Sequence, residues 1–212
     1  MLIAMIKIEF RTSRWFAISG LLLFAFGAAS AQAQTDVGLS VYGAFDGSTS
    51  GNGTQQSPSN SAGGMLELRH ISNPLMGFDV TYSYNRDNQV YTGGSVCGVV
   101  CNPTPAAVSA NAHELTGDYV VSVKLANLRP FALGGIGVLL NEPVSGQSNT
   151  QSSTKPVFVY GAGLDWGLVP HIGLRLQYRG NLYKAPDLTK VYTSTGAFTH
   201  SSEPMIGAYF RF

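Results

Sequence analysis

The sequence predicts an all-β fold, an eight-stranded antiparallel up-and-down transmembrane β-barrel, and three observations carry that prediction. Only 12% of the 212 residues are charged and 25 are glycine, against the ~25% charged residues of an ordinary soluble domain. Beyond residue 33 no apolar run reaches the ~20 residues that a spanning helix needs, yet eight segments alternate apolar and polar side chains. Finally, the connectors between those segments alternate long and short.

The N-terminal 33 residues stand apart. Lys7, Arg11 and Arg14 precede an apolar run from Trp15 to Ala29, and Ala-x-Ala follows at Ala29–Ala31 and again at Ala31–Ala33. A charged start, a short apolar core and a small-residue exit make a secretory signal peptide, predicted over 1–33 with the cut after Ala33. Residues 34–212 then form one barrel domain with a net charge of −1, His neutral. A chain so close to neutrality gives no electrostatic reason to bind nucleic acid.

Alternate residues of a strand point to opposite faces, so the faces can be read in order. From about Asp36 to Asp46, Val37, Leu39, Val41 and Phe45 oppose Ser40, Tyr42 and Asp46. Over Gly63–Ile71, Leu66 and Leu68 oppose Glu67 and Arg69. Over Gly77–Asn85, Phe78, Val80, Tyr82 and Tyr84 oppose Asp79, Thr81, Ser83 and Asn85. Over Ala112–Leu125, Leu115, Tyr119, Val121 and Val123 oppose Glu114, Thr116, Asp118, Ser122 and Lys124. Pro130–Leu140 is glycine-rich and its facing stays open. Over Pro156–Trp166, Phe158, Tyr160, Leu164 and Trp166 oppose Gly161, Gly163 and Asp165. Over Ile172–Tyr183, Ile172, Leu174, Leu176 and Tyr178 oppose Gly173, Arg175, Gln177 and Arg179. The last strand, Pro204–Phe212, sets Ile206, Ala208, Phe210 and Phe212 against Met205, Gly207, Tyr209 and Arg211. Strands of ~9–11 residues suffice to cross a membrane at a tilt.

The connectors are long at 47–62, 86–111, 141–155 and 184–201, and short at 72–76, 126–129 and 167–171. Outer-membrane barrels have long extracellular loops and short periplasmic turns. A soluble barrel would turn its polar face outward. Here Glu67, Asp79, Glu114, Asp118 and Asp165 share that face with Arg69, Lys124, Arg175, Arg179 and Arg211. Buried charges must be paired, and five acids against five bases predict a self-neutralising lumen. The apolar face then meets lipid.

Four stretches carry a resemblance. They are Arg129-Pro130-Phe131 leading into Gly134-Gly135-Ile136-Gly137, Tyr160-Gly161-Ala162-Gly163-Leu164-Asp165, Gly173-Leu174-Arg175-Leu176-Gln177-Tyr178-Arg179, and Ala208-Tyr209-Phe210-Arg211-Phe212. The chain resembles the eight-stranded outer-membrane β-barrel families, the OmpA-type transmembrane domain and the opacity-protein-like group. That resemblance implies a place in the bacterial outer membrane, in contact with its lipid and lipopolysaccharide. The alternation Ile206, Ala208, Phe210, Phe212 also resembles the signal read by the outer-membrane assembly machinery. No segment follows Phe212 in this sequence, so the peptidoglycan-tethering role of two-domain members is not expected.

Such a fold hosts many roles, and few residues suggest chemistry. Cys97 and Cys101, both in the longest connector, are expected to form a local disulfide; no metal or other cofactor is expected. His200 and Ser202 share the lipid-facing parity at the outer end of the last strand, where a lipid A deacylase would hold a histidine-activated serine. The deacylase His-x-Ser-Asn run is broken here, because Glu203 stands at the Asn position with inward parity. His70, His113 and His171 lie near strand ends and suggest no cluster. An eight-stranded barrel is just wide enough to be filled by its own side chains. The expectation is therefore a monomeric, non-enzymatic outer-membrane protein acting through its loops. A lipid A-modifying enzyme and a narrow channel for small or hydrophobic solutes are the alternatives.

Overall fold

The computed structural model describes residues 34–73, 75–93 and 105–212. The predicted signal peptide and both cysteines lie outside the described residues. Among the described residues ten strands follow one another: β1 (Gln34–Asp46), β2 (Thr49–Gly51), β3 (Thr54–Pro58), β4 (Ser61–Ile71), β5 (Met76–Gly93), β6 (Ala106–Ser122), β7 (Leu128–Pro143), β8 (Ser153–Val169), β9 (Ile172–Lys184) and β10 (Phe198–Arg211). No helix among the described residues is long and apolar enough to cross a membrane; the chain crosses with strands.

Eight of the ten form the barrel wall, each paired antiparallel to its neighbour in the chain once the β2–β3 hairpin is set aside. Closure comes from β1 against β10, in register from Asp36↔Arg211 to Asp46↔Ser201. Among the described residues no wall strand is left with an open edge, the arrangement that satisfies backbone polar groups at membrane depth. The β2–β3 hairpin extends the column of β4: β4 leaves β5 at Gly63↔Asn85, and β3 takes over from Pro58↔Gln89 to Thr54↔Gly93.

The wall is turned inside out relative to a soluble domain. Leu39, Leu66, Phe78, Leu115, Ile136 and Ile206 are exposed, while Arg69, Arg175, Arg179, Asp79 and Thr81 are buried. In β7, whose facing the sequence left open, Phe131, Leu133 and Leu139 point inward and Ile136 and Val138 outward. At the first short turn Asn73 Oδ1 accepts from the backbone N–H groups of Leu75 (3.0 Å) and Met76 (2.9 Å), an Asx turn that reverses the chain.

The wall strands run further at the long-loop end than the sequence predicts. β5 and β6 remain paired as far as Tyr91↔Ala106, through residues assigned to a loop. The reason is a loss of polar contrast between the faces. Above Tyr84 the outward positions turn polar (Arg86, Asn88, Ser109, Asn111), while the inward ones mix buried Asp87 and Gln89 with buried Tyr91, Val108 and Ala110. A strand whose outer face leaves lipid for water keeps its period of two without an apolar stripe to mark it.

Candidate functional site

The lumen is the chemically richest part of the molecule, and its charges fall in layers. Near the short turns, Arg175 on β9 holds three strands together. Its Nε donates to Asp165 Oδ1 (2.6 Å), its Nη2 to Asp165 Oδ2 (2.9 Å) and Asp36 Oδ1 (3.1 Å), and its Nη1 to Glu67. Arg69 joins the same layer through Asp79 (Nε–Oδ2, 3.0 Å) and Glu67 (Nη2–Oε1, 2.9 Å). Its guanidinium lies 4.0 Å over the Phe131 ring, the stacking that a weakly hydrated planar cation favours. Arg175 sits 5.1 Å from the Tyr209 ring. Phe131 and Tyr209 fit because Gly163 and Gly173 have no side chain; a Cβ on Gly163 would come within 2.5 Å of the Phe131 ring.

One layer up, Arg179 bonds Asp118 Oδ2 and Thr116 Oγ1, both at 3.1 Å, and approaches Glu114 Oε1 at 3.5 Å. Asn181 donates to Glu114 Oε2 and Glu203 Oε1, both at 3.0 Å. Tyr183 donates to Asp46 at 3.1 Å. Tyr42, Asp46, Asp87, Glu114, Asn181 and Glu203 surround a small polar cavity.

Not every predicted lumen residue belongs there. Lys124 is exposed, because β6 ends at Ser122 and the chain has left the wall. Arg211 is only partly buried and stacks on Tyr209 at the short-turn rim, 5.0 Å from the ring. Conversely Asp36, Asp46, Asp87 and Glu203 face inward, and so does Arg129, which donates to Gln34 Oε1 at 2.7 Å. Acids therefore outnumber bases among the described lumen residues, and the five-to-five balance does not hold. Strand boundaries drawn too short hid Asp87. Asp36 and Asp46 share the parity of Ser40 and Tyr42, the polar face of the first strand, but the five-to-five count omits them.

The mouth is capped. The 185–197 segment folds over it, with Leu188 fully buried against Tyr91, Val108, Ala110 and Tyr192. Tyr91 Oη donates to Pro186 O (2.9 Å) and accepts from Leu188 N (3.2 Å). A backbone bridge ties Thr150 to Thr189.

His200 and Ser202 come together on the outer wall: Ser202 Oγ lies 3.4 Å from His200 Nδ1. The other imidazole nitrogen meets Tyr160 Oη at 2.8 Å, and Tyr178 Oη donates to Ser202 Oγ at 3.1 Å. Glu203 turns into the lumen toward Asn181. The arrangement thus holds a serine and an imidazole, but a phenol occupies the place of the acid that orients a general base.

All four histidines join aromatic rims, a role that sequence spacing did not disclose. His70 packs on Phe78 (5.5 Å) and His171 on Phe210 (5.9 Å) at the short-turn end. At the long-loop end His113 packs on Tyr84 (5.1 Å) and His200 on Tyr160 (5.9 Å). Such girdles mark the two membrane interfaces. The partners were findable only through the strand register, which sets His70 opposite Phe78 and His113 opposite Tyr84.

Comparison with known proteins gives the same architecture. The family model for the outer membrane protein beta-barrel domain matches residues 19–199. No curated protein matches the chain. Among solved structures, Neisserial surface protein A is 13% identical with a TM-score of 0.56, covering 85% of this chain and 99% of its own. OprG from Pseudomonas aeruginosa is 13% identical with a TM-score of 0.55, covering 86% and 96%. Ail of Yersinia pestis, solved with the heparin analogue sucrose octasulfate, is 17% identical with a TM-score of 0.52, covering 85% and 99%. At these identities the likeness is one of fold. A closed eight-stranded wall, an apolar exterior between two aromatic rims and a family match over most of its length place this protein in the bacterial outer membrane, and the chain belongs to the outer membrane protein beta-barrel domain family.

Proposed function

We propose that the protein is a monomeric, non-enzymatic barrel with a side-chain-filled lumen, whose structural or recognition role is exercised by the four loops at its extracellular end. One observation carries the reading: three buried arginines, Arg69, Arg175 and Arg179, each reach a carboxylate across the lumen (Asp165, Glu67 and Asp118), beneath a loop packed over the mouth. In this reading a lumen filled and capped by the described residues passes no solute, and contact with the surroundings falls to the loops. Those loops are rich in Ser, Thr, Gly, Asn and Gln, at 47–60, 144–152 and 185–197, a surface that recognises by hydrogen bonding more than by charge. In this reading the 1–33 leader directs export, the Ile206, Ala208, Phe210, Phe212 stripe serves assembly, and a Cys97–Cys101 disulfide pins the second loop.

Planar-bilayer recording tests it. The filled barrel gives no steady single-step conductance, whereas steps altered by Arg179→Gln would establish the channel instead. A second reading, a lipid A-modifying enzyme, is favoured by the Ser202–His200 contact alone. Mass analysis of lipid A from cells with and without the protein separates the two. Identical lipid A agrees with a non-enzymatic barrel; a mass change lost with Ser202→Ala makes it an enzyme.

A further inference from the structure

One stripe of the lipid-facing wall is neither smooth nor uniformly apolar. On β1, β4 and β10 a groove of about 670 Å³ runs between Val41, Gly43, Ala62, Pro204 and Ile206. Small residues make its floor, and the Phe45 ring overhangs it; a Cβ on Gly43 would lie 3.1 Å from the ring edge. At its extracellular end Ser202 stands opposite Phe45 across the β1–β10 pair. Polar groups then follow one another up β10 and its neighbour β9: the Ser202–Tyr178 pair, the His200–Tyr160 pair, and Lys184 at the end of β9, whose ammonium lies 5.8 Å over Phe198. Gly180 makes the middle pair possible. It lies between Tyr160 and Ser202 in register, and a side chain there would collide with the tyrosine ring that crosses it to reach His200.

We infer that this stripe is a docking site for one outer-leaflet phosphorylated glycolipid of the lipid A class, with an acyl chain in the groove and its headgroup along β10. Lipid is what this face meets, and the groove follows the strands across the bilayer as a chain does. Along β10 the outward positions are apolar from Phe210 to Pro204 and turn polar only from Ser202 toward the extracellular end, so the occupant belongs to the outer leaflet. From Ser202 to Phe198 the polar ladder rises ~13 Å along the strand at ~3.3 Å per residue. That is too deep for a single phosphodiester and suits a sugar backbone that carries acyl linkages and phosphate. Charge agrees as well: the Lys184 ammonium faces outward, while the neighbouring acid, Glu203, is turned into the lumen.

The test is native mass spectrometry of the full protein in mixed micelles with bis-phosphorylated, hexa-acylated lipid A and phosphatidylglycerol as competitors. Folding of each variant is checked by its heat-dependent gel mobility. The docking site retains lipid A at least tenfold over phosphatidylglycerol. Ala62→Leu, which fills the groove floor on the outer surface, lowers that retention, and Lys184→Ala lowers it about fivefold, the loss of one basic group at a membrane surface. Equal retention of the two lipids, no retention, or lipid A retention unchanged in both variants would overturn the assignment.

Discussion

Arg175 is the residue on which the lumen depends most, and removing its charge has a calculable consequence. Its side chain is 2% exposed and bonds Asp165, Glu67 and Asp36, which come from β8, β4 and β1. Arg175→Met keeps most of the volume and leaves three carboxylates to be shared out. Arg69 still reaches Glu67 at 2.9 Å and Asp165 at 3.6 Å, but Asp36 loses the arginine that bonds it. Stranding one member of a buried ion pair costs about 3–5 kcal/mol. Urea titration in lipid vesicles, followed by the fluorescence of Trp166, should show a loss of that size. Asp36→Asn added to Arg175→Met should recover part of it, since contacting residues are not additive. Lys124→Met is the control: that side chain is exposed beyond β6, so its effect stays within about 0.5 kcal/mol. An Arg175→Met protein within about 1 kcal/mol of wild type would refute the layered ion-pair account.

Three further outcomes follow from the same packing. Gly163→Ala should cost about 1–3 kcal/mol by the same titration, because its Cβ would lie 2.5 Å from both Phe131 and the Leu176 carbonyl, and Phe131 is held under Arg69. Gly134→Ala, whose nearest atom would be 3.9 Å away, should be neutral. Leu188→Ala should remove about 2–5 kcal/mol of local stability from the 185–197 cap, seen as faster proteolysis there with the barrel's own mobility shift intact. In the same loop burial holds the Asp187 carboxyl above its ordinary value against the opposing charge of Lys155. The folded loop therefore binds that proton more tightly than the unfolded one. The contribution is full below the ordinary aspartate value and is lost as pH rises through the raised one, so the protection of the Leu188 amide, its exchange relative to an unstructured chain at the same pH, falls over that window, and Asp187→Asn removes that fall.

Much of the wall was legible in the sequence because lipid on one side and packed charge on the other enforce strict alternation in β1, β4, β5 and β9. β7 was not, since Gly134, Gly135 and Gly137 blank three of four successive positions; Phe131 and Leu133 inside show its facing only once paired with β8. The extensions of β5 and β6 were missed because their outward positions turn polar beyond Tyr84 and His113 while inward Asp87 and Gln89 stay polar, a pattern that reads as a loop. Individual lumen charges could be named, yet their partners could not. Arg175 meets Glu67 across 108 residues and Asp36 across 139, so barrel closure decides the pairs. The capping of the mouth by Leu188 was likewise invisible, because one leucine in a polar connector looks like any other.

Gel mobility of the outer-membrane fraction in detergent, with and without boiling, tests the closed lipid-facing barrel most directly. A wall whose strands close through β1 and β10 resists cold detergent, so the account predicts membrane-bound protein that shifts on heating. Protein recovered from the soluble periplasm, with no shift, would mean that the apolar face is not outside.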